Sequence, residues 1–134
     1  MKRKKTLRIG LDLDNTIICY DKAIIKLAAE LLNIPEEIKR TKIELRNYLR
    51  KEKREDEWTK FQGALYGPGM TGAEPFENCI ETIEFLKGEG HQLAIVSHRT
   101  LKPYAGPPYD LHQAAREWIQ KRLQSQKLFL ETWA

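Results

Sequence analysis

The chain reads as an α/β protein organised on a parallel sheet, and three features of the sequence say so. Leu7, Ile9, Leu11 and Leu13 alternate in the two-residue rhythm of a strand. His91 to Val96 is a second strand, short and mostly apolar as parallel strands tend to be. A helical pattern precedes that second strand, and both strands run out into polar clusters, Asp12-Leu-Asp-Asn-Thr16 and Ser97-His-Arg-Thr100. The two clusters are expected on the same rim of the sheet, where open α/β sheets place their ligands.

The first strand carries the chemistry. Side chains two apart on a strand point to one side, so Asp12 and Asp14 are expected to meet at the carboxyl end of a buried strand. Two like charges in a half-buried place are costly unless a cation or a proton offsets them. The economical explanation is a divalent metal with oxygen ligands, together with a substrate that needs both.

Further along, Ile17 to Tyr20 suits a short extended turn. Asp21 is a plausible N-cap for a helix to about Asn33, with Ile24, Leu27, Ala28 and Leu31 on its apolar face. Pro35 suits the first turn of a second helix, with Glu36 and Glu37 complementing its dipole. The segment from Pro35 to Leu65 is the most charged, and KEKREDE (Lys51 to Glu57) reads as a solvated helix or helix-turn-helix laced with ion pairs. Trp58, Phe61 and Leu65, spaced i, i+3, i+7, mark a packing stripe. Gly63 to Glu74 reads as a flexible loop, Pro75 to Lys87 as a helix ending at Gly88. KPYAGPPY (Lys102 to Tyr109) is a loop whose tyrosines line a pocket or pack the loop. Asp110 caps a further helix, and Lys127 to Leu130 begins a third strand. This divides the chain into an α/β part, residues 1–18 and 75–134, and a helical insertion, residues 19–74.

Composition narrows the class. A chain of 134 residues is enough for one compact domain with a real core. Its apolar and charged fractions, 41% and 31%, are those of a soluble, rather polar protein. The net charge of +4 favours acidic small molecules as much as nucleic acid. The basic start, Met1 to Lys5, is followed by no uninterrupted apolar stretch or small-residue cleavage site, and no window approaches the ~18 apolar residues of a membrane span. Cys19 and Cys79, far apart and without metal-type spacing, read as reduced thiols in a cytoplasmic protein.

Asp12-Leu-Asp-Asn-Thr16 at one strand end, with Ile95-Val96-Ser97 at the next, resembles the haloacid dehalogenase-like (HAD) hydrolases. The resemblance implies a three-layer Rossmann-like parallel sheet with a small helical cap inserted after the first strand. It implies Mg²⁺-dependent phosphatase chemistry on a small phosphorylated metabolite, with Asp12 as nucleophile and Asp14 as general acid and base. Mg²⁺ is then held by Asp12 and Asp14, the latter through its backbone carbonyl, and Asn15, Ser97, His98 and Arg99 become candidate substrate contacts. The acid at position 14 points to phosphate ester hydrolysis rather than dehalogenation, because halide needs no proton.

The family's later motifs, a lysine and one or two further acidic metal ligands, have no clear match; Lys121 and Lys127 are lysine candidates by position alone. The expectation is an incomplete, C-terminally truncated sheet whose open edge invites a homodimer. An inactive relative that binds phosphate or a protein partner is the alternative, and nucleic acid and membrane are not expected partners.

Overall fold

The computed structural model describes residues 5–124 and 131–133. It is a mixed α/β protein in which the chain clusters into two compact units. The first takes in residues up to Cys19, Glu74–His98 and the stretch from Ile119 onward; the second is Tyr20–Ala73 with Arg99–Trp118. The insertion drawn from the sequence at 19–74 thus has a companion: Arg99–Trp118, drawn above with the α/β part, clusters with it.

The first unit holds a three-stranded sheet in the order β1 (Arg8–Leu11), β4 (Gln92–Val96), β5 (Glu131–Trp133). Both pairings are parallel, with Gly10 opposite Ala94 and Ile95 opposite Thr132. The central place belongs to β4, whose Leu93, Ala94 and Ile95 are buried. The expectation of a buried first strand does not hold: β1 pairs on one side alone among the described residues, and its residues alternate between exposed and half-buried. Leu13, two residues beyond it, is fully buried instead. Lys127 to Leu130, expected to open the third strand, lie outside the described residues.

A second, two-stranded ribbon pairs β2 (Ile18–Cys19) with β3 (Glu74–Pro75) in antiparallel fashion. This ribbon claims Pro75, which the sequence suggests as a helix start. Helix α4 begins only at Cys79, after Asn78 turns the chain through a left-handed conformation (φ 65°), and runs to Gly88.

The second unit is built on α1 (Asp21–Leu31), α2 (Lys42–Lys51), α3 (Glu55–Tyr66) and the first part of α5 (Leu111–Arg122). At α1 the cap position falls on Tyr20, and Asp21 is the first helical residue, favourable there by charge alone. No helix forms after Pro35. Pro35 to Ile38 is a turn, closed by the Ile38 N–H on the Pro35 carbonyl at 3.1 Å. The Arg40 guanidinium donates to the carbonyls of Ile34, Pro35 and Ile38 and so fixes it. The helix starts instead at Thr41, whose hydroxyl accepts from the Glu44 N–H at 3.2 Å. At α5 the expected cap forms: the Asp110 carboxylate accepts from the Gln113 N–H at 2.9 Å.

The charged stretch is a helix-turn-helix, reversed at Lys53 (φ 58°) and carrying Arg50–Glu55 and Arg54–Glu57 ion pairs. The hydrogen bond from Arg54 holds the Glu57 carboxyl below its usual range and raises the arginine in turn. Behind these charges Leu45, Leu49, Trp58, Phe61 and Leu65 form the floor of the unit, each at most 2% exposed. Trp58 and Phe61 stack with centroids 5.8 Å apart. Pro68–Gly72 is a 3-10 turn rather than an unstructured loop. The loop 101–110 packs on α3: a Cβ built at Gly63 would lie 2.6 Å from Cβ of Pro103 and 3.3 Å from the Ala105 carbonyl. Gly63→Ala is therefore expected to cost about 1–3 kcal/mol, read as a lower urea midpoint at unchanged slope. An unchanged midpoint would show that the loop yields freely.

Candidate active site

The tight turn Leu13–Ile18 sets the geometry. The Leu13 carbonyl accepts from the N–H groups of Ile17 at 3.0 Å and Ile18 at 2.9 Å, and from Thr16 at 3.4 Å. Asn15 sits in the left-handed region (φ 62°), which asparagine tolerates better than most residues. Its own N–H donates to the Ile18 carbonyl at 3.0 Å. The resemblance implies a substrate contact at Asn15; the N–H groups of Asn15, Ile17 and Ile18 are used inside the turn. What Asn15 contributes here is the shape that turns the chain off the strand.

That shape brings the acids together. Gly10, Asp12 and Asp14, at i, i+2 and i+4, line one open depression of about 620 Å³ with Val96 and His98. The depression lies at the carboxyl ends of β1 and β4, as the strand alternation requires. Asp12 is exposed and Asp14 half-buried. One oxygen of Asp12 accepts from the Leu13 N–H at 2.9 Å, which fixes its rotamer. Asp14 forms a bridge with Ile18 across the turn, so its backbone position is fixed too. The pair is less enclosed than the sequence suggests, because β1 has a partner on one side alone among the described residues.

Gly10 and Val96 were not legible as part of this place. A Cβ at Gly10 would come within 3.1 Å of the Val96 side chain, so the bare backbone keeps the depression open. The i, i+2, i+4 series ending in Asp14 is the signal that finds it.

The other candidates divide. His98 lines the depression. Ser97 follows β4, half-buried, and its side chain engages no described residue through a hydrogen bond. Arg99 does not line the depression. Its guanidinium donates to the Tyr66 carbonyl at 3.0 Å, the Leu111 carbonyl at 3.3 Å and the Tyr20 hydroxyl at 2.7 Å, and lies 5.3 Å from the Tyr66 ring centre. These contacts tie together distant parts of the second unit, a packing duty that a fork of five donors performs well. His112 accompanies it, one ring nitrogen 2.8 Å from the Arg99 carbonyl oxygen.

Asp12 and Asp14 are hard oxygen donors suited to Mg²⁺, which keeps several waters and needs only one or two carboxylates from the protein. Among the described residues no group of three or more His, Cys, Asp or Glu side chains is arranged to hold a metal ion. The two cysteines lie elsewhere. Cys79 opens α4, a position that ordinarily favours thiolate, yet burial first and the Glu81 charge second push its thiol above the usual range. Cys79 is thus expected to react with iodoacetamide at neutral pH more slowly than free cysteine; faster labelling would show the helix terminus prevailing.

No protein-family model matches the chain, and a search of curated proteins returns no match. Among the described residues no helix is long and apolar enough to cross a membrane.

Proposed function

We propose that this chain is a Mg²⁺-dependent phosphatase of the HAD-like type, acting on a small phosphorylated metabolite. The observation that carries the reading is the convergence of Asp12 and Asp14 on one open depression at the carboxyl ends of two parallel strands. An acidic strand end that merely faces water explains one such group, not two beside a second polar strand end.

The chemistry uses the residues in sequence. A carboxylate oxygen of Asp12, held by the Leu13 N–H, attacks phosphorus; the bond from phosphorus to the leaving oxygen breaks, and that oxygen takes a proton from Asp14. Water then attacks the phosphorus of the aspartyl-phosphate and gives its proton to Asp14. The phosphorus–Asp12 bond breaks, releasing inorganic phosphate and restoring both carboxyl groups. His98, which lines the depression, and Ser97, which follows β4, would donate to the phosphoryl oxygens. Asp12 and the backbone carbonyl of Asp14 would hold Mg²⁺, which would supply positive charge against the repulsion between carboxylate and phosphate. Arg99 has no part in this scheme, because its guanidinium is committed to the second unit.

The assay is phosphate release from p-nitrophenyl phosphate with and without Mg²⁺. Release that requires the metal supports the reading. Phosphate bound but never released favours the inactive, binding-only alternative, and neither binding nor release removes both.

A further inference from the structure

The backbone around β1 shows which of its groups face β4. The Leu7 carbonyl accepts from the Gln92 N–H at 2.9 Å, and the Leu7 N–H donates to Nδ1 of His91 at 3.0 Å. Both backbone groups of Leu7 therefore point toward β4. Successive residues of a strand turn these groups to opposite edges. Ile9 and Leu11 face β4 as Leu7 does, while Arg8, Gly10 and, one residue past the strand, Asp12 turn theirs to the other edge. No described strand pairs there. Arg8, Gly10 and Asp12 are also the exposed residues of this stretch, with Ile9 and Leu11 half-buried between them. An edge of this kind is a template for another strand.

The strand that fits this edge best is a second copy of itself. Antiparallel pairing about Gly10 sets Gly10 against Gly10, and Arg8 against Asp12 on either side of the two-fold axis. In that register the outward backbone groups meet as hydrogen-bonded pairs. It also makes two opposite-charge pairs, and directly opposed residues share a face. An axis at Ile9 sets Arg8 against Gly10 and forfeits both pairs. An axis at Leu11 needs Asp14 as the partner of Arg8, and the Leu13–Ile18 turn carries Asp14 off the strand. The face that Arg8 shares with Gly10 and Asp12 is the face of the depression, whose lining residues hold two carboxylates and neither lysine nor arginine. We propose that two copies of this chain pair antiparallel along β1 about Gly10, and that each brings its Arg8 to the depression at the partner's Asp12. The pairing stands on the edge alone. The part given to Arg8, a guanidinium for the phosphoryl oxygens of the substrate, rests on the phosphatase reading. With four residues in β1 the dimer is weak and forms with rising concentration.

The test is sedimentation equilibrium of the full chain at loading concentrations from about 1 to about 500 µM. The parent is expected to dimerise in that range. Arg8→Asp and Asp12→Arg each set like charges face to face at two places, and each is expected to weaken the dimer about tenfold. An equimolar mixture of the two variants is expected to assemble as tightly as the parent, because opposite charges then meet at both places. It is also expected to release phosphate from p-nitrophenyl phosphate faster than either variant alone, since the Arg8→Asp copy keeps Asp12 and its partner keeps Arg8. A parent that stays monomeric throughout would overturn the pairing. So would single variants that dimerise as tightly as the parent, or a mixture that does not assemble. A mixture that assembles and gains no activity, beside an active parent, would overturn the part given to Arg8. An inactive parent whose dimers follow the expected pattern would remove the phosphatase reading and support the pairing.

Discussion

Asp14→Asn is expected to lower the Mg²⁺-dependent release of phosphate from a phosphomonoester by about 10²- to 10⁴-fold, the worth of a positioned general acid and base. The reason lies in the leaving oxygen. An alkoxide is a poor leaving group, and the amide that replaces Asp14 has no proton to give at a useful acidity. The substitution keeps size and shape, and the turn Leu13–Ile18 rests on backbone bonds to the Leu13 carbonyl. The loss should also depend on the substrate. An ester that leaves readily without a proton, such as p-nitrophenyl phosphate, should be slowed least, and an alkyl phosphate most. A uniform loss across leaving groups would place the defect in the second step, where Asp14 takes the proton of water, rather than in protonation of the leaving oxygen. Full activity in the variant would remove its role altogether.

Trp58→Ala should have the largest effect on stability, about 3–5 kcal/mol, the range for truncating a buried aromatic side chain. Trp58 is 2% exposed and stacks on Phe61 within the helical unit, whose Leu45 and Leu49 are also fully buried. Marginal stability is the rule for domains of this size, and such a loss should leave much of the chain unfolded at ordinary temperature. Urea unfolding followed by circular dichroism measures it directly. A loss under about 1 kcal/mol would mean that the stack of Trp58 on Phe61 is not the anchor of this unit.

How far the sequence reaches can be judged from particular residues. The stripe Trp58, Phe61, Leu65 is legible because helical spacing and size alone decide which face is buried, and all three are. The Asp110 cap is legible because it is local, a carboxylate and an N–H three residues on. The acids Asp12 and Asp14 are legible for the same kind of reason: strand alternation puts them on one side, and they line one depression.

Proline misleads twice. Pro35 and Pro75 both carry the signature of a helix start. A turn held by Arg40 takes the first, and pairing with Ile18 takes the second. Arg99 defeats sequence reading altogether, since its partner Tyr20 is 79 residues away. Adjacency to a strand-end serine suggests a ligand contact for it, and only the packed unit reveals the other duty. The exposure of β1 is a matter of neighbours as well. Its alternation is sound, yet burial requires cover on both sides.

The most direct test of the account is chemical trapping at position 12. The chain is incubated with Mg²⁺ and a phosphomonoester, quenched during turnover, and treated with borohydride, which reduces an acyl phosphate to an alcohol. Mass mapping of the peptide around the Leu13–Ile18 turn then reads which carboxyl has been phosphorylated. Reduction at Asp12, dependent on both substrate and metal, and none at Asp14, is the expected result. Phosphate release with Asp12 unmodified would contradict it.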